Sequence, residues 1–313
     1  MANDDADLQN LLRQKKHTTR STKLTNVITK KVQKVEEVQQ EVLDLDEDVV
    51  NPPLPKFHEE YGHLPAIIAL AELFHSYRIS KSTIIENRII GKYMGHDLTY
   101  VFGQRLTYQD EELLMALFLA YSANGAEFSK TRHVKIRISE LCSYLGLSKG
   151  GKNNTRIYKR LEVFMSTVFA LSSPDYDPEA NTGTRTSFSI LTYLHNHKGE
   201  IEFALDPIWS RIFSEYPVTR INMAIRLRLS PHARVIYRLL CTSSNFHQRL
   251  SEKRLRAAIG WDGKRIYDFY EALKKASDEL KAHNLIYKYG IIKSPSKELI
   301  FAFDTNQRAL KPV

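Results

Sequence analysis

The sequence predicts an α+β protein in which two tandem winged helix-turn-helix domains follow a disordered N-terminal tail. The first observation is the order helix, short helix, glycine turn, long helix and β-hairpin, which is typical of a winged helix-turn-helix. The second is that this order occurs twice, and a repeated unit is a stronger signal than a single one. The third is a change in composition near residue 60. We therefore predict a tail and linker over 1–60, a first winged-helix domain over 61–215 and a second over 216–313.

The first 60 residues have the composition of a disordered segment. They contain one aromatic residue, Phe57, and no glycine. Residues 1–35 carry eight Lys or Arg against three Asp, whereas residues 36–60 carry nine acidic residues against one Lys. Such a segment cannot bury enough apolar surface to offset the entropy that it would lose on ordering. We predict a solvated tail that ends in the linker Asn51–Pro55.

The first copy of the pattern begins at residue 107. Thr107 and Asp110 have the spacing of a helix N-cap, so a helix is predicted from there through Tyr121. Residues 134–138 alternate between apolar and basic side chains, as in a half-buried strand. The remaining elements are a short helix Glu140–Leu145 capped by Ser139 and ended by Gly146, a turn Leu147–Lys152, a long helix Asn153–Leu171, and a hairpin of Ser187–Leu194 with Glu200–Leu205 across residues 196–199.

The second copy repeats this order. Ser230 and Pro231 open a helix through Leu240, because proline suits the first helical position. The elements that follow are a helix Glu252–Ile259 capped by Ser251 and ended by Gly260, a long helix Lys264–His283, and a hairpin of Leu285–Ile292 with Leu299–Phe303.

The charge balance favours a polyanionic partner. The formal net charge is +9 and the sequence pI is about 9.3, which suits nucleic acid or an acidic membrane surface. Composition alone does not choose between them, but the longest apolar stretch, Leu113–Ala120, is too short to span a bilayer. Cys142 and Cys241 stand alone without metal-ligand spacing, which fits a reducing cytoplasm.

The long helix of the first copy is predicted to enter the major groove, as the second helix of a helix-turn-helix does. Arg, Lys and Asn side chains near the start of such a helix can pair with guanine or adenine edges, and a wing contacts phosphates. A merely solvated basic face is the alternative. The predicted DNA contacts are Lys149, Lys152, Asn153, Asn154, Arg156, Lys159 and Arg160, with Lys198 in the wing.

The long helix of the second copy has a face of mixed charge, so the alternative of a solvated surface is stronger there. At about 100° per residue, the inward face consists of Ile266, Tyr270, Leu273, Ser277 and Leu280. An outward Asp side chain can accept a hydrogen bond from a cytosine amine. The predicted DNA contacts of this copy, including its wing, are Lys264, Arg265, Asp268, Lys275, Lys293 and Lys297.

Two segments look like catalytic motifs. Gly146–Asn153 nearly matches a phosphate-binding loop, but Asn153 replaces the hydroxyl that would hold magnesium, and a helix precedes it instead of a strand. His195 and His197 spell part of a nuclease motif, but they lie in a predicted wing, and metal-dependent nicking needs further ligands. We expect no cofactor, no metal and no enzymatic activity.

The stretch from about Leu70 to Asp304 resembles the TrfA-type plasmid replication initiators. The resemblance rests on the order and spacing of several short segments. They are Leu73-Phe74, Asp110–Leu113, Ile138–Gly146, Tyr158–Glu162, Leu229–Arg234 and Glu279–Lys281.

The resemblance implies a bacterial, cytoplasmic protein that binds directly repeated origin sequences (iterons), opens adjacent DNA and recruits the host replication initiator and helicase. It implies monomers that initiate, in equilibrium with homodimers that restrain copy number, with the first domain serving dimerisation as well as DNA binding. Members also contact the host sliding clamp through a short N-terminal motif. Gln40, Leu43 and Leu45 form a weak version of that motif, without its aromatic end. No membrane partner is expected.

Two other functions stay open on the sequence alone. One is a winged-helix transcriptional regulator, although regulators usually carry one such domain beside an effector or dimerisation domain. The other is a rolling-circle initiator nuclease, which would nick origin DNA at a specific site.

Overall fold

The computed structural model describes residues 57, 60–76, 84–124, 133–177, 179–180, 182–261, 263, 265–293 and 299–310. The predicted disorder of the tail falls almost entirely outside these residues, as do Gln40, Leu43, Leu45, Lys264 and Lys297. Within the described ranges, no helix is long and apolar enough to cross a membrane.

Helices and short strands alternate along the chain. In order, the helices are α1 Ala66–Leu70, α2 Tyr108–Ala123, α3 Ile138–Tyr144, α4 Gly151–Met165, α5 Ile208–Glu215, α6 Met223–Arg226, α7 Pro231–Cys241, α8 Glu252–Ile259, α9 Ile266–Ala282 and α10 Gln307–Leu310. The strands are β1 Tyr61–Pro65, β2 Phe74–His75, β3 Ile84–Tyr93, β4 His96–Gln104, β5 Leu106–Thr107, β6 Val134–Arg137, β7 Val168–Ser172, β8 Arg185–Ser189, β9 Leu191–His197, β10 Glu200–Leu205, β11 Val218–Asn222, β12 His247–Ser251, β13 Ile286–Lys293 and β14 Leu299–Thr305.

The first winged-helix unit consists of α2, α3, α4 and the sheet β6–β10–β9. The predicted N-cap of α2 is confirmed, since the Thr107 backbone N–H and hydroxyl both donate to Asp110 Oδ2, at 2.7 and 2.8 Å. Almost every side chain of α2 from Asp110 to Tyr121 is buried, so this helix is the centre of the unit. The predicted order of helices and wing is confirmed.

The wing of the first unit is the β9–β10 hairpin, with a tighter turn than predicted. His197 pairs with Glu200, so Lys198 and Gly199 alone make the turn. Both have positive φ, 50° and 84°, which defines a turn whose twist matches that of the flanking strands. Lys198 therefore lies at the exposed tip of the wing.

Two predicted helix boundaries in this unit are wrong. The long helix α4 ends at Met165 and not at Leu171, because residues 168–172 form β7, an inner strand of a second sheet with the order β3–β4–β7–β8. Ser139 does not cap α3, since that helix already begins at Ile138, after Arg137 as its N-cap. Neighbouring strands that are distant in sequence fix both boundaries.

The predicted strand Ser187–Leu194 is in fact two strands that belong to different sheets. β8 pairs with β7, whereas β9 pairs with β10. At the break between them, the indole of Trp209 donates to the carbonyls of Ser189 and Ile190, at 3.2 and 3.3 Å. These carbonyls are satisfied by a side chain, so the chain can bend from one sheet into the next.

The second winged-helix unit consists of α7, α8, α9 and the sheet β12–β14–β13. Pro231 occupies the first turn of α7 after Ser230, and the Ser251 hydroxyl accepts from the Arg254 N–H at 3.3 Å to cap α8. Gly260, with φ 73°, ends α8. These predictions are confirmed, although α9 begins two residues later than predicted, at Ile266.

The two units share a buried ionic group, which we call the charged cluster: Glu111 and Glu112 of α2 with Arg226, Arg234 and Arg238. Arg226 and Arg238 contact Glu111 at 3.0 and 2.9 Å, and Arg234 contacts Glu112 at 2.8 Å. Four of the five side chains are almost fully buried. Burial alone would lower the pKa of Arg226, but the two glutamates raise it. At Glu112 and Arg238 burial dominates, so the pKa of the carboxyl is raised and the pKa of the guanidinium is lowered.

Backbone contacts reinforce this junction. β1 pairs antiparallel with β11, so the start and the end of the first half of the described chain lie side by side. The Ser76 N–H and hydroxyl both donate to the carbonyl of Ile259, at 2.9 and 3.0 Å. Because that carbonyl lies at the C-terminal end of α8, β2 satisfies part of the end of a helix in the second unit.

Candidate nucleic-acid interface

In the first unit, α3 and α4 form the helix pair of a helix-turn-helix. Gly146, at φ 62°, donates its N–H to the carbonyl of Ser143 at 3.1 Å, and this ends α3 in a sharp turn. Burial raises the pKa of the Cys142 thiol, which therefore stays protonated and donates to Asn154 Oδ1 at 3.6 Å. These contacts hold the start of α4 at the surface beside the turn.

The exposed side of α4 is strongly basic. Lys152, Thr155, Arg156 and Lys159 are exposed, as is Lys149 in the turn before the helix. Beside this face lies an open cleft of about 710 Å³ whose lining includes four basic side chains and one acidic side chain. The lining residues are Gln104, Lys152, Thr155, Arg156, Lys159, Arg160, Glu162, Val163 and Ser166.

Two of the predicted arginine contacts are held by the first turn of α2. Arg160 binds the Asp110 carboxylate through Nε and Nη2, at 2.5 and 2.6 Å, and Asp110 is only 1% exposed. Arg156 donates to the Gln109 side-chain oxygen. Sequence reasoning treated both arginines alike, but Arg160 is bound to a buried carboxylate and Arg156 to the half-buried neutral amide of Gln109.

The two predicted asparagine contacts both take part in the turn before α4. Asn153 donates to the backbone and side-chain oxygens of Ser148, at 2.8 and 3.1 Å, while Asn154 accepts from Cys142. Both are half-buried. Their amides therefore shape the turn, and the exposed lysines are the more accessible donors.

In the second unit, α8 and α9 form the corresponding helix pair. Arg265, Asp268 and Lys275 are exposed on or just before α9, and Lys293 is exposed at the end of β13, which forms the wing with β14. The structure thus places the predicted residues that it describes on the long helix and the wing of this unit. Compared with α4, α9 presents charges of both signs.

Sequence reasoning missed two exposed apolar residues at the start of α9. Ile266, predicted to face inward, is 48% exposed, because the helix begins at this residue and the core is reached only at Phe269. Tyr267 is 69% exposed. The helical spacing could have found Tyr267, since it lies about 120° from the buried Leu273 on the helix surface.

Across the described ranges, no group of three or more His, Cys, Asp or Glu side chains is arranged to hold a metal ion.

Two helix-turn-helix units, each with a surface-exposed long helix and a hairpin wing, define a tandem winged-helix protein. Residues 93–241 match the family model described as Initiator Replication protein, WH1. This part of the chain is therefore similar to the winged-helix domain of replication initiators, which supports the resemblance that the sequence predicts. No curated protein matched the sequence.

One solved structure supports the fold. The crystal structure of selenomethionine derivatives of domain 2 and domain 3 of RctB aligns with a TM-score of 0.52 at 12% identity, covering 77% of this chain and 98% of that one. A second crystal structure of RctB domains 2-3 aligns with a TM-score of 0.48 at 14% identity, covering 78% and 98%. At such low identity, the first of these likenesses concerns the fold alone.

Proposed function

We propose that this protein is a plasmid replication initiator that binds direct repeats at the origin, with α4 and α9 inserted into neighbouring major grooves of one duplex. The observation that carries this proposal is the charged cluster, because it joins two helix-turn-helix units whose long helices remain free at the surface. A rigid pair of units can recognise two base sequences at a fixed spacing, as a repeated origin site requires.

In the first unit, Lys152, Thr155 and Lys159 are the proposed contacts to base edges, since their side chains are exposed on the side of α4 away from the core. Arg156 joins them, because an exposed bond to the neutral Gln109 amide can be exchanged for one to guanine at a small cost. Lys149 and Lys198 are the proposed phosphate contacts at either side of the helix.

Arg160 has a different proposed role. A charged pair with two parallel hydrogen bonds to a buried carboxylate is worth more than an exposed contact, so this guanidinium stays on Asp110 when DNA binds. Its contribution to the complex is then to fix the angle of α4 on α2 and to add positive potential to the cleft.

In the second unit, Arg265, Lys275 and the wing residue Lys293 are the proposed phosphate or guanine contacts, with Asp268 facing a cytosine amine. Lys264 and Lys297 are proposed on sequence grounds alone. Each neutralised phosphate releases counterions, so affinity should fall steeply as salt rises.

The protein is proposed to act by binding and not by catalysis. Binding energy from several repeats would favour opening of the adjacent duplex, and the host initiator and helicase would be recruited there. Copy control through a homodimer, and a sliding-clamp contact through Gln40, Leu43 and Leu45, belong to the same proposal. All of these events would take place on the plasmid in the bacterial cytoplasm.

Footprinting of the full chain on the DNA beside its own gene tests this function. We expect protection of direct repeats next to an A·T-rich stretch, with Lys159→Ala weakening binding by about 1–3 kcal/mol. Lys92→Ala, which removes an exposed lysine on β3, should leave binding unchanged. Protection of no repeated sequence, or a site-specific nick in the presence of divalent metal, would contradict the proposal.

A further inference from the structure

The start of α9 exposes two large apolar side chains next to each other. Ile266 is 48% exposed and Tyr267 is 69% exposed, whereas Phe269 and Leu273, further along the helix, are buried. Since the core begins only at Phe269, neither exposed side chain is needed to hold α9 on its own unit. Covering their apolar surface with another molecule would therefore be favourable.

Charged side chains alone do not explain how the start of α9 would discriminate between base sequences. Among the residues that the structure describes, Arg265 and Asp268 flank the pair and offset each other, whereas the corresponding part of α4 carries Lys152 and Arg156 with no acid between them. The second long helix therefore needs some other source of sequence discrimination than hydrogen bonds from a row of cations.

The thymine 5-methyl group is the one apolar feature on base edges in the major groove. We propose that Ile266 and Tyr267 read thymine by packing against this methyl group, which makes them specificity-determining residues of the second unit. This inference rests on the proposed function, because it requires α9 to enter the groove. Arg265 beside the pair and Lys293 in the wing are exposed cations that suit a polyanion.

Deoxyuridine provides the test, because it pairs with adenine and lacks only the 5-methyl group. The full chain first enriches duplexes from a randomised pool, and the enriched duplex is resynthesised with deoxyuridine at one thymidine position at a time. At one or more positions we expect the wild-type affinity to fall about fourfold, as expected for the loss of one buried methyl group.

The variants Ile266→Ala and Tyr267→Ala should bind the thymidine duplex more weakly and lose the sensitivity to deoxyuridine at the same positions. Ile89→Ala and Phe246→Ala are matched controls, since these residues lie on β3 and just before β12, outside α9 and the wing, and are 51% and 44% exposed. Both controls should keep the wild-type response.

Three results would overturn the inference. One is a wild-type affinity that is indifferent to deoxyuridine at every position. Another is that Ile266→Ala and Tyr267→Ala both stay as sensitive to deoxyuridine as the wild type. The third is a change in oligomeric state in Tyr267→Ala with DNA binding unchanged, which would make the pair a contact between copies of the chain. Enrichment of no sequence at all would instead contradict the proposed function itself.

Discussion

At the scale of single residues, Asp110 connects the core of the first unit to its proposed DNA-binding helix. Its carboxylate accepts from the backbone and side chain of Thr107 at the start of α2, and it binds Arg160 on α4. The sequence predicts the first of these contacts, because the two residues are three positions apart. It does not predict the second, because 50 positions separate the partners and only the fold brings them together.

Asp110→Ala should lower the free energy of unfolding by about 2–4 kcal/mol, since it removes a helix cap and leaves a guanidinium without its buried partner. Chemical denaturation measures this change. Asp268→Ala, which removes an exposed carboxylate in the first turn of α9, should have little effect on stability. Equal losses of unfolding free energy in the two variants would show that the contact between Asp110 and Arg160 adds nothing to stability.

Asp206 gives the stability a pH dependence of known sign. Desolvation raises the pKa of its carboxyl from 3.8 to about 6, against the lowering effect of the N–H groups of Ser189 and Ile208. Because the native state then holds this proton more tightly than the unfolded chain, stability falls as pH rises through this window.

The measurement is the unfolding free energy of the wild type relative to Asp206→Asn, which keeps the shape without the titration. This difference should decrease by up to about 3 kcal/mol between about pH 4 and pH 6, and then stay level. A difference that is constant or rises over this range would contradict the assigned pKa shift.

At the scale of elements, local signals predict where helices begin and end, and long-range pairing decides the rest. Thr107, Pro231, Ser251 and Gly260 mark helix ends correctly because caps and left-handed glycines act within a few residues. The end of α4 was predicted wrongly because β7 forms only when β4 and β8 lie on either side of it. Local periodicity does not predict the strand order of a sheet whose strands are so distant in sequence.

The end of α8 at Gly260 is fixed by a contact with β2. It has φ +73°, and an added Cβ would overlap the imidazole of His75 on β2. Gly199 has a similar φ, +84°, but an added Cβ would have no neighbour within 4 Å. The two glycines thus share the same backbone strain and differ in the space around them.

Gly199→Ala should lower the unfolding free energy by about 1–2 kcal/mol through backbone strain alone. Gly260→Ala should lower it by a further 1–3 kcal/mol or so, because the methyl group also overpacks the contact with β2. Thermal or chemical unfolding of both variants gives the comparison. If the two losses were equal, the end of α8 would not be in contact with β2 as described.

At the scale of the whole molecule, the charged cluster joins the two winged-helix units, so we expect them to unfold as one cooperative structure. The ion pairs join residues 127 positions apart, Glu111 and Arg238, so no reading of local pattern identifies them. Sequence reasoning recognised both units, the basic face of α4 and the mixed charge of α9. It did not predict the ion pairs that join the units, because their partners lie 114 to 127 positions apart.

Glu111→Gln should lower the unfolding free energy by about 3–5 kcal/mol, because it leaves Arg226 and Arg238 buried with too little negative charge. Glu140→Gln, which changes an exposed residue on α3, is the control, and its unfolding free energy should lie near that of the wild type.

Single-tryptophan variants report the unfolding of each unit separately, since Trp209 lies in the core of the first half and Trp261 in the second unit.

In variants that keep Glu111, the fluorescence of each single tryptophan should follow the same unfolding transition as far-UV circular dichroism. Separate transitions for the two tryptophans would show that the cluster does not couple the units.

The central claim is that two joined units read two neighbouring major grooves of one duplex. Methylation interference on an enriched duplex, with the full chain, tests it most directly. We predict two patches of contact about 10.5 base pairs apart, one lost in Lys159→Ala and the other in Arg265→Ala. A single patch, or two patches that respond identically to both variants, would contradict it.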